Sequence, residues 1–289
     1  MDTLQTTYSA SLSDEQFGAF VDVDFPEEAR RLNVSIGSTG RHELCGAAGF
    51  PLFADEEGLI DESQWKPMIE AKNAKGGMLR PFVRAVKDQD GEPSCVSNAT
   101  VSSHEVAQNI LHGPGLITEL SPISLYRFVG SRTSGSNLDT NLKRMREIGC
   151  LPLNNEKNKA KFKHTHPHNG YSVAMPLGYE ETAALFRIDE YLDIDGWKPM
   201  VSAILKGYSV IYARSGHCIL AIGLSYRNGV LVLEYLNSWG QWGAALNDLF
   251  TFGVGFDSER TAKNASYGAI AVRSVKTPPP ATLPPVVAV

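Results

Sequence analysis

Long apolar runs are missing from this 289-residue chain, and none of its segments is long enough to span a bilayer. The first thirty residues are rich in Asp and Glu and have neither the basic start nor the apolar middle of a signal peptide, so export by that route is not expected. Cysteine is scarce. Four residues without framework spacing point to a reducing compartment and not to a disulfide scaffold. Basic residues are not in excess either: 27 Lys and Arg stand against 32 Asp and Glu, a net charge of −5, with no basic run interleaved with aromatics. Nucleic acid is therefore not an expected partner. What the chain does hold is apolar content, 43% of its residues, enough for one large domain with extensions.

Composition divides the chain. Residues 1–60 are acidic and broken by turns, and read either as an inhibitory prosegment or as a docking arm. Residues 61–274 carry the periodic apolar patterns, and 275–289 form a proline-rich tail, from Thr277-Pro278-Pro279-Pro280 to Pro284-Pro285, with polyproline character.

The chemistry centres on Cys95. A thiol with an ordinary pKa supplies little thiolate at neutral pH, so a nucleophilic cysteine needs help. Pro93-Ser94-Cys95 reads as a helix start, followed by Val96, Ala99, Val106, Ala107 and Ile110 at helical spacing and stopped by Gly113-Pro114-Gly115. Such a position favours an anion through free backbone N–H groups and the helix dipole. His217 follows Gly216 at the head of an apolar strand, with Asn228-Gly229 as a hairpin turn into a second strand that ends at Asn237-Ser238-Trp239-Gly240. That hairpin would set His217 beside Asn237, which could fix its tautomer, with Trp239 excluding water. Gln89 offers an amide N–H which, with the backbone N–H of Cys95, could stabilise an oxyanion.

These blocks, with Leu120-Ser121-Pro122 through Leu125-Tyr126 between them, resemble the papain family of cysteine peptidases, and in tone its bacterial and phage-encoded members. The order glutamine, cysteine, histidine, asparagine is the family's. His217 follows Cys95 by 122 residues and Asn237 by 142, close to the roughly 130 to 150 of papain-like enzymes. The resemblance implies an α+β, two-lobed fold with Cys95 on the central helix of one lobe and His217 and Asn237 on an antiparallel, barrel-like sheet in the other. It implies a thiol peptidase acting on peptide or protein substrates, with Cys95, His217, Asn237 and Gln89 as catalytic residues and no cofactor. Gly135, Gly216 and Trp239 become candidates for the substrate cleft, although the loop holding Gly135 can equally be a helix cap formed by Ser136 or Asn137. Three departures stand out. Val96 replaces the usual aromatic after the nucleophile, Glu92 occupies the place of a disulfide-forming cysteine, and the tryptophan-glycine block is one residue short. Substrate preference therefore does not carry over. The terminal extensions leave a second reading open: a papain-fold assembly component, for instance of a phage particle, docked through its arm and tail. The expected location is correspondingly cytoplasmic or virion-associated.

Cys45, Cys150 and Cys218 lack a motif and read as structural, with Cys218 on the opposite strand face from His217. His164, His166 and His168 alternate as zinc ligands could, yet Pro167, Asn169 and Gly170 mark a turn and no fourth ligand is apparent, so no metal is expected. Further helices are expected over Leu138 to Ile148, stopped by Gly149, and over Asp195 to Lys206, stopped by Gly207. Late strands are expected near Leu249 to Val254 and Tyr267 to Val272.

Overall fold

A computed structural model of the chain describes residues 50–113, 115–214, 216–244, 252–263 and 268–279. Helix α1 (Phe53–Glu57) buries Phe53 completely, and Ile60 N donates to Ser202 Oγ at 3.0 Å. Just before α1, Asp193 N donates to Pro51 O at 2.9 Å. Residues 50–60, grouped with the arm on composition, are thus packed onto the domain. Cys45 and most of the arm lie outside the described residues.

Helix α2 (Glu62–Asn73) begins at Asp61, whose carboxylate accepts from Ser63 N, and buries Trp65 and Ile69. After a 3₁₀ turn at Arg80–Phe82 comes the central helix α3 (Cys95–His112), ended by Gly113. Short α4 (Pro122–Tyr126) is followed by α5 (Leu138–Glu147), capped by Asn137 Oδ1 on Thr140 N. Leu138, Leu142 and Met145 form its buried stripe. Two single turns, α6 (Glu156–Lys159) and α7 (Glu180–Ala183), precede β1 (Arg187–Asp193). Helix α8 (Trp197–Lys206) starts two residues later than the sequence suggested, after Gly196, and stops at left-handed Gly207. Strands β2 (Val210–Arg214), β3 (His217–Arg227), β4 (Val230–Leu236) and β5 (Val254–Ser258) follow, then α9 (Glu259–Lys263) and β6 (Ala269–Lys276).

The six strands form one antiparallel sheet in the order β1-β6-β2-β3-β4-β5. Strands β2, β3 and most of β4 are buried, which makes them near-continuous apolar runs. Helix α3 packs on β3, β2 and β6, so the lobe with the cysteine and the lobe with the histidine share one interface. This is the α+β arrangement the motifs implied. The late strands are displaced, however. Part of the span expected as Leu249 to Val254 lies outside the described residues, and the strand itself runs from Val254, because pairing with β4 (Val232 opposite Ser258, Leu236 opposite Val254) sets its register. Strand β6 extends to Lys276, four residues beyond the expected end and into the span assigned to the tail.

Among the described residues no helix is long and apolar enough to cross a membrane.

Candidate active site

Cys95 is the first residue of α3, preceded by Ser94 as N-cap, and its thiol lies against the backbone N–H groups of Val96 and of Cys218 on β3. The nucleophile candidate therefore touches the strand residue that directly follows His217. On the neighbouring strand pair, His217 faces Arg214 at the start of the β2–β3 ladder. The turn at Asn228 and Gly229, with φ of 49° and 76°, folds β4 back so that Asn237 returns to the histidine.

The hydrogen bonds there assign the tautomer. Asn237 Oδ1 accepts from Ser238 N at 2.8 Å, and a backbone N–H can only donate, so the atom facing it is the amide oxygen. The same oxygen lies 2.8 Å from His217 Nε2, which must therefore carry the ring proton. Nδ1 is then the basic nitrogen. Trp239 stacks on the imidazole with ring centroids 4.6 Å apart and planes 24° from parallel, and Trp242 meets Trp239 edge-on at 5.5 Å. The turn after Trp239 requires glycine: Gly240 has φ of 57°, and a Cβ there would lie 2.6 Å from Asp88 Oδ2.

Gln89 sits on the facing loop, joined to the same block. Its backbone N–H donates to Ser238 O at 2.9 Å, its Oε1 accepts from Ser238 Oγ at 2.6 Å, and its Nε2 donates to Glu92 O at 2.7 Å. Ser238 is thus a residue that sequence reasoning quoted without a role, and it ties the glutamine loop to the asparagine. His217 is bonded to Asn237, Gln89 is tied to the adjacent Ser238, and Cys95 lies against Cys218; Cys95, His217, Asn237 and Gln89 are buried, with exposures of 0%, 0%, 2% and 3%.

Burial opposes the anion that the helix start favours. Burial pushes the Cys95 thiol up to about 12, outweighing the N–H groups of Cys218, Val96 and its own backbone. Burial likewise pushes His217 down to about 4, against the stabilising bond to Asn237 and with the Arg214 charge adding to the depression. Burial thus works against charge on both groups. The Arg214 charge is itself answered by Asp257: Nε to Oδ2 at 2.5 Å, Nη2 to Oδ1 at 2.7 Å, with Tyr212 donating to Oδ2 at 2.8 Å. An arginine closing the apolar run Val210-Ile211-Tyr212-Ala213 is the signal in the sequence for this network.

Gly216 is buried with φ of 73° directly before the histidine. Gly135 is buried in the loop ahead of α5, whose Ser131 and Ser134 carbonyls both accept from Tyr126 Oη. Of the three alternating histidines, His166 and His168 are pushed down in pKa by burial, His168 to about 4 with the Lys87 charge adding to it. No group of three His, Cys, Asp or Glu side chains among the described residues could hold a metal. Cys150 and Cys218 are buried thiols that burial pushes upward.

No protein-family model matches the chain, and no curated protein matches its sequence. Solved structures do match. A digestive procathepsin L 3 from the larval midgut of Tenebrio molitor aligns over 93% of this chain and 84% of its own, with a TM-score of 0.57 at 16% identity. A procathepsin L2 proteinase from the same tissue covers 86% and 81%, with a TM-score of 0.58 at 16% identity. A procathepsin B from Trypanosoma congolense covers 85% and 87%, with a TM-score of 0.52 at 14% identity. The fold is papain-like.

Proposed function

We propose that this chain is a cysteine peptidase held in a latent form. The observation that carries the reading is the tautomer of His217. With Nε2–H committed to Asn237, basic Nδ1 is the nitrogen left to serve a thiol, and Cys95 lies at the helix start against the next residue of the same strand. In the reaction, Cys95 Sγ attacks the peptide carbonyl carbon while its proton passes to His217 Nδ1. The oxyanion so formed takes hydrogen bonds from Gln89 Nε2 and the Cys95 backbone N–H. Collapse expels the amine, which leaves with the proton from His217, and a thioester remains. Water, deprotonated by the same nitrogen, then releases the acid and restores the thiol. Asn237 orients the ring throughout, and Trp239 shields their bond.

Latency is the second half of the proposal. Cys95 and His217 have no exposed surface, which supports a form closed to peptide, and burial disfavours charge on both. The Tenebrio and Trypanosoma proteins that share the fold are proenzymes by name, which supports the inhibitory reading of the acidic first segment over the docking one. Removing residues 1–49 while keeping the packed 50–60 segment should expose the site, letting charge form at the pair. The test compares intact and shortened protein on a peptide library, with iodoacetamide labelling followed by mass spectrometry. Faster cleavage and selective labelling of Cys95 over Cys150 and Cys218 in the shortened form are expected. Cys95→Ala should lower turnover about a thousandfold or more with little change in melting temperature. Equal, slow labelling of the cysteines together with absent cleavage would remove the peptidase, and unchanged activity on shortening would return the segment to a docking role.

A further inference from the structure

Glu92 stands between the oxyanion donor and the nucleophile, where the sequence resemblance calls for a cysteine. Its main chain closes a tight turn: Glu92 N donates to Gln89 O at 2.9 Å across Asp90 and Gly91, both at positive φ. Its carbonyl then accepts twice at 2.7 Å, from the Gln89 side-chain amide and from Ser94 N. The Gln89 amide plane is thus held between Glu92 O on one side and Ser238 Oγ on the other.

The side chain fixes that location. Glu92 Oε1 accepts from two consecutive backbone N–H groups, Gly170 and Tyr171, both at 2.9 Å, a cradle suited to an anionic oxygen. Oε2 is buried without a hydrogen-bond partner among the described residues, so the cradle is what compensates the buried carboxylate. The segment that supplies the cradle is itself anchored on both sides of the site. Asn169 Nδ2 donates to Asp88 O at 2.9 Å, Ser121 Oγ to Pro167 O at 2.5 Å, and Tyr171 Oη to Gly130 O at 3.2 Å.

We infer that Glu92 is a positioning residue for catalysis: its carboxylate, bonded to the Gly170–Tyr171 backbone, holds the Gln89 amide where the oxyanion forms. It does by hydrogen bonds what a disulfide would do at that place, so the geometry of the donor does not depend on the redox state of the surroundings. The inference rests on the peptidase reading for its catalytic consequence, while the clamp itself can be measured without turnover.

The experiment uses the full chain, and beside it the chain lacking residues 1–49, each with its Glu92→Ala and Glu92→Gln variants. Misplacing the donor should lower kcat of Glu92→Ala about ten- to a hundredfold with KM within about twofold, since the interaction is made in the transition state. Iodoacetamide alkylation of Cys95 needs no oxyanion donor and should stay within about twofold of the parent. Glu92→Gln retains a carbonyl that can accept from both N–H groups and should recover most of the rate. Hydrogen exchange at Gly170 and Tyr171 should quicken in Glu92→Ala and not in Glu92→Gln. Unchanged kcat, a parallel fall of kcat and alkylation, or unaltered exchange in Glu92→Ala would each overturn the inference. If the parent cleaves nothing, the peptidase reading falls, and the exchange measurement alone decides whether the clamp exists.

Discussion

Helix α3 buries nine polar side chains along with Cys95, whereas β3, which carries His217, buries only His217 and Ser225 among its polar residues. On the helix, direction comes from side chains. Ser97 donates to Asn141 Oδ1 at 2.5 Å, Ser103 and Ser209 share a hydroxyl bond at 2.8 Å, and Asn109 Nδ2 donates to Phe82 O at 2.5 Å. On the sheet, direction comes from the backbone ladder, with apolar side chains filling the faces. Each half adds one buried ion pair close to the site: Lys87 to Glu105 at 2.8 Å beside the Gln89 loop, and Arg214 to Asp257 opposite His217. A register set by many partial bonds can be lost piecemeal, while one set by a ladder holds until its charged anchor is removed.

The largest expected effect probes those anchors. Asp257→Ala leaves Arg214 buried without its carboxylate and should cost about 3–5 kcal/mol in urea unfolding, taking the histidine strand with it. Glu105→Ala strands Lys87 in the same way and should cost a similar amount. A Glu105→Ala loss under about 1 kcal/mol would show that the helix half tolerates what the sheet half does not, and would sharpen the contrast.

Of intermediate size is the response to acid. His104 in the helix half donates through Nε2 to Lys276 O and accepts at Nδ1 from Gln108, so protonation would set two donors face to face. Burial pushes its pKa down to about 4, as it does for His217 in the sheet half. For a histidine depressed on folding, the unfolded chain binds the extra proton first, so stability is full above the ordinary value near 6.5 and falls as the pH drops towards 4. Each residue can contribute up to about 3 kcal/mol of this loss. Melting temperature followed from pH 7 down to 4 should decline with a slope that His104→Gln and His217→Gln each reduce by about one proton. A flat profile would mean that neither ring is buried neutral.

The smallest effect tests the piecemeal half. Ser97→Ala removes the hydroxyl donor to Asn141 Oδ1 and should cost about 1–2 kcal/mol by urea unfolding, with Cys95 alkylation hardly changed. A loss as large as that of Asp257→Ala would erase the distinction between the halves.

Legibility in the sequence followed the same division. The start of α3 at Cys95 was readable because Pro93 and Gly113 bracket an apolar repeat, and the hairpin into Asn237 was readable because Asn228 and Gly229 accept positive φ. Local chemistry determines both. Strand β1 was not named, since Arg187-Ile188-Asp189-Glu190-Tyr191-Leu192-Asp193 carries four charges and is an edge strand, with irregular pairing at Glu190. The start of β5 depended on its partner β4. The four candidate catalytic residues were found through short blocks, each set by local demands. The bonds of Glu92 to residues 78 and 79 positions away leave no periodic trace, and the burial of Cys95 and His217 is a property of the assembled molecule.

The order of the strands has a consequence for how this fold is made. Strand β6 follows β5 in the chain but is inserted between β1 and β2, and Lys276 at its end supplies the carbonyl that His104 holds. On the ribosome, a nascent polypeptide that stops short of this strand leaves β1 and β2 with raw edges and α3 with an incomplete floor. Cys95 and His217 have both been synthesised by then, while α3 still lacks the part of its packing that β6 supplies. The sheet is therefore completed only after synthesis has passed Lys276.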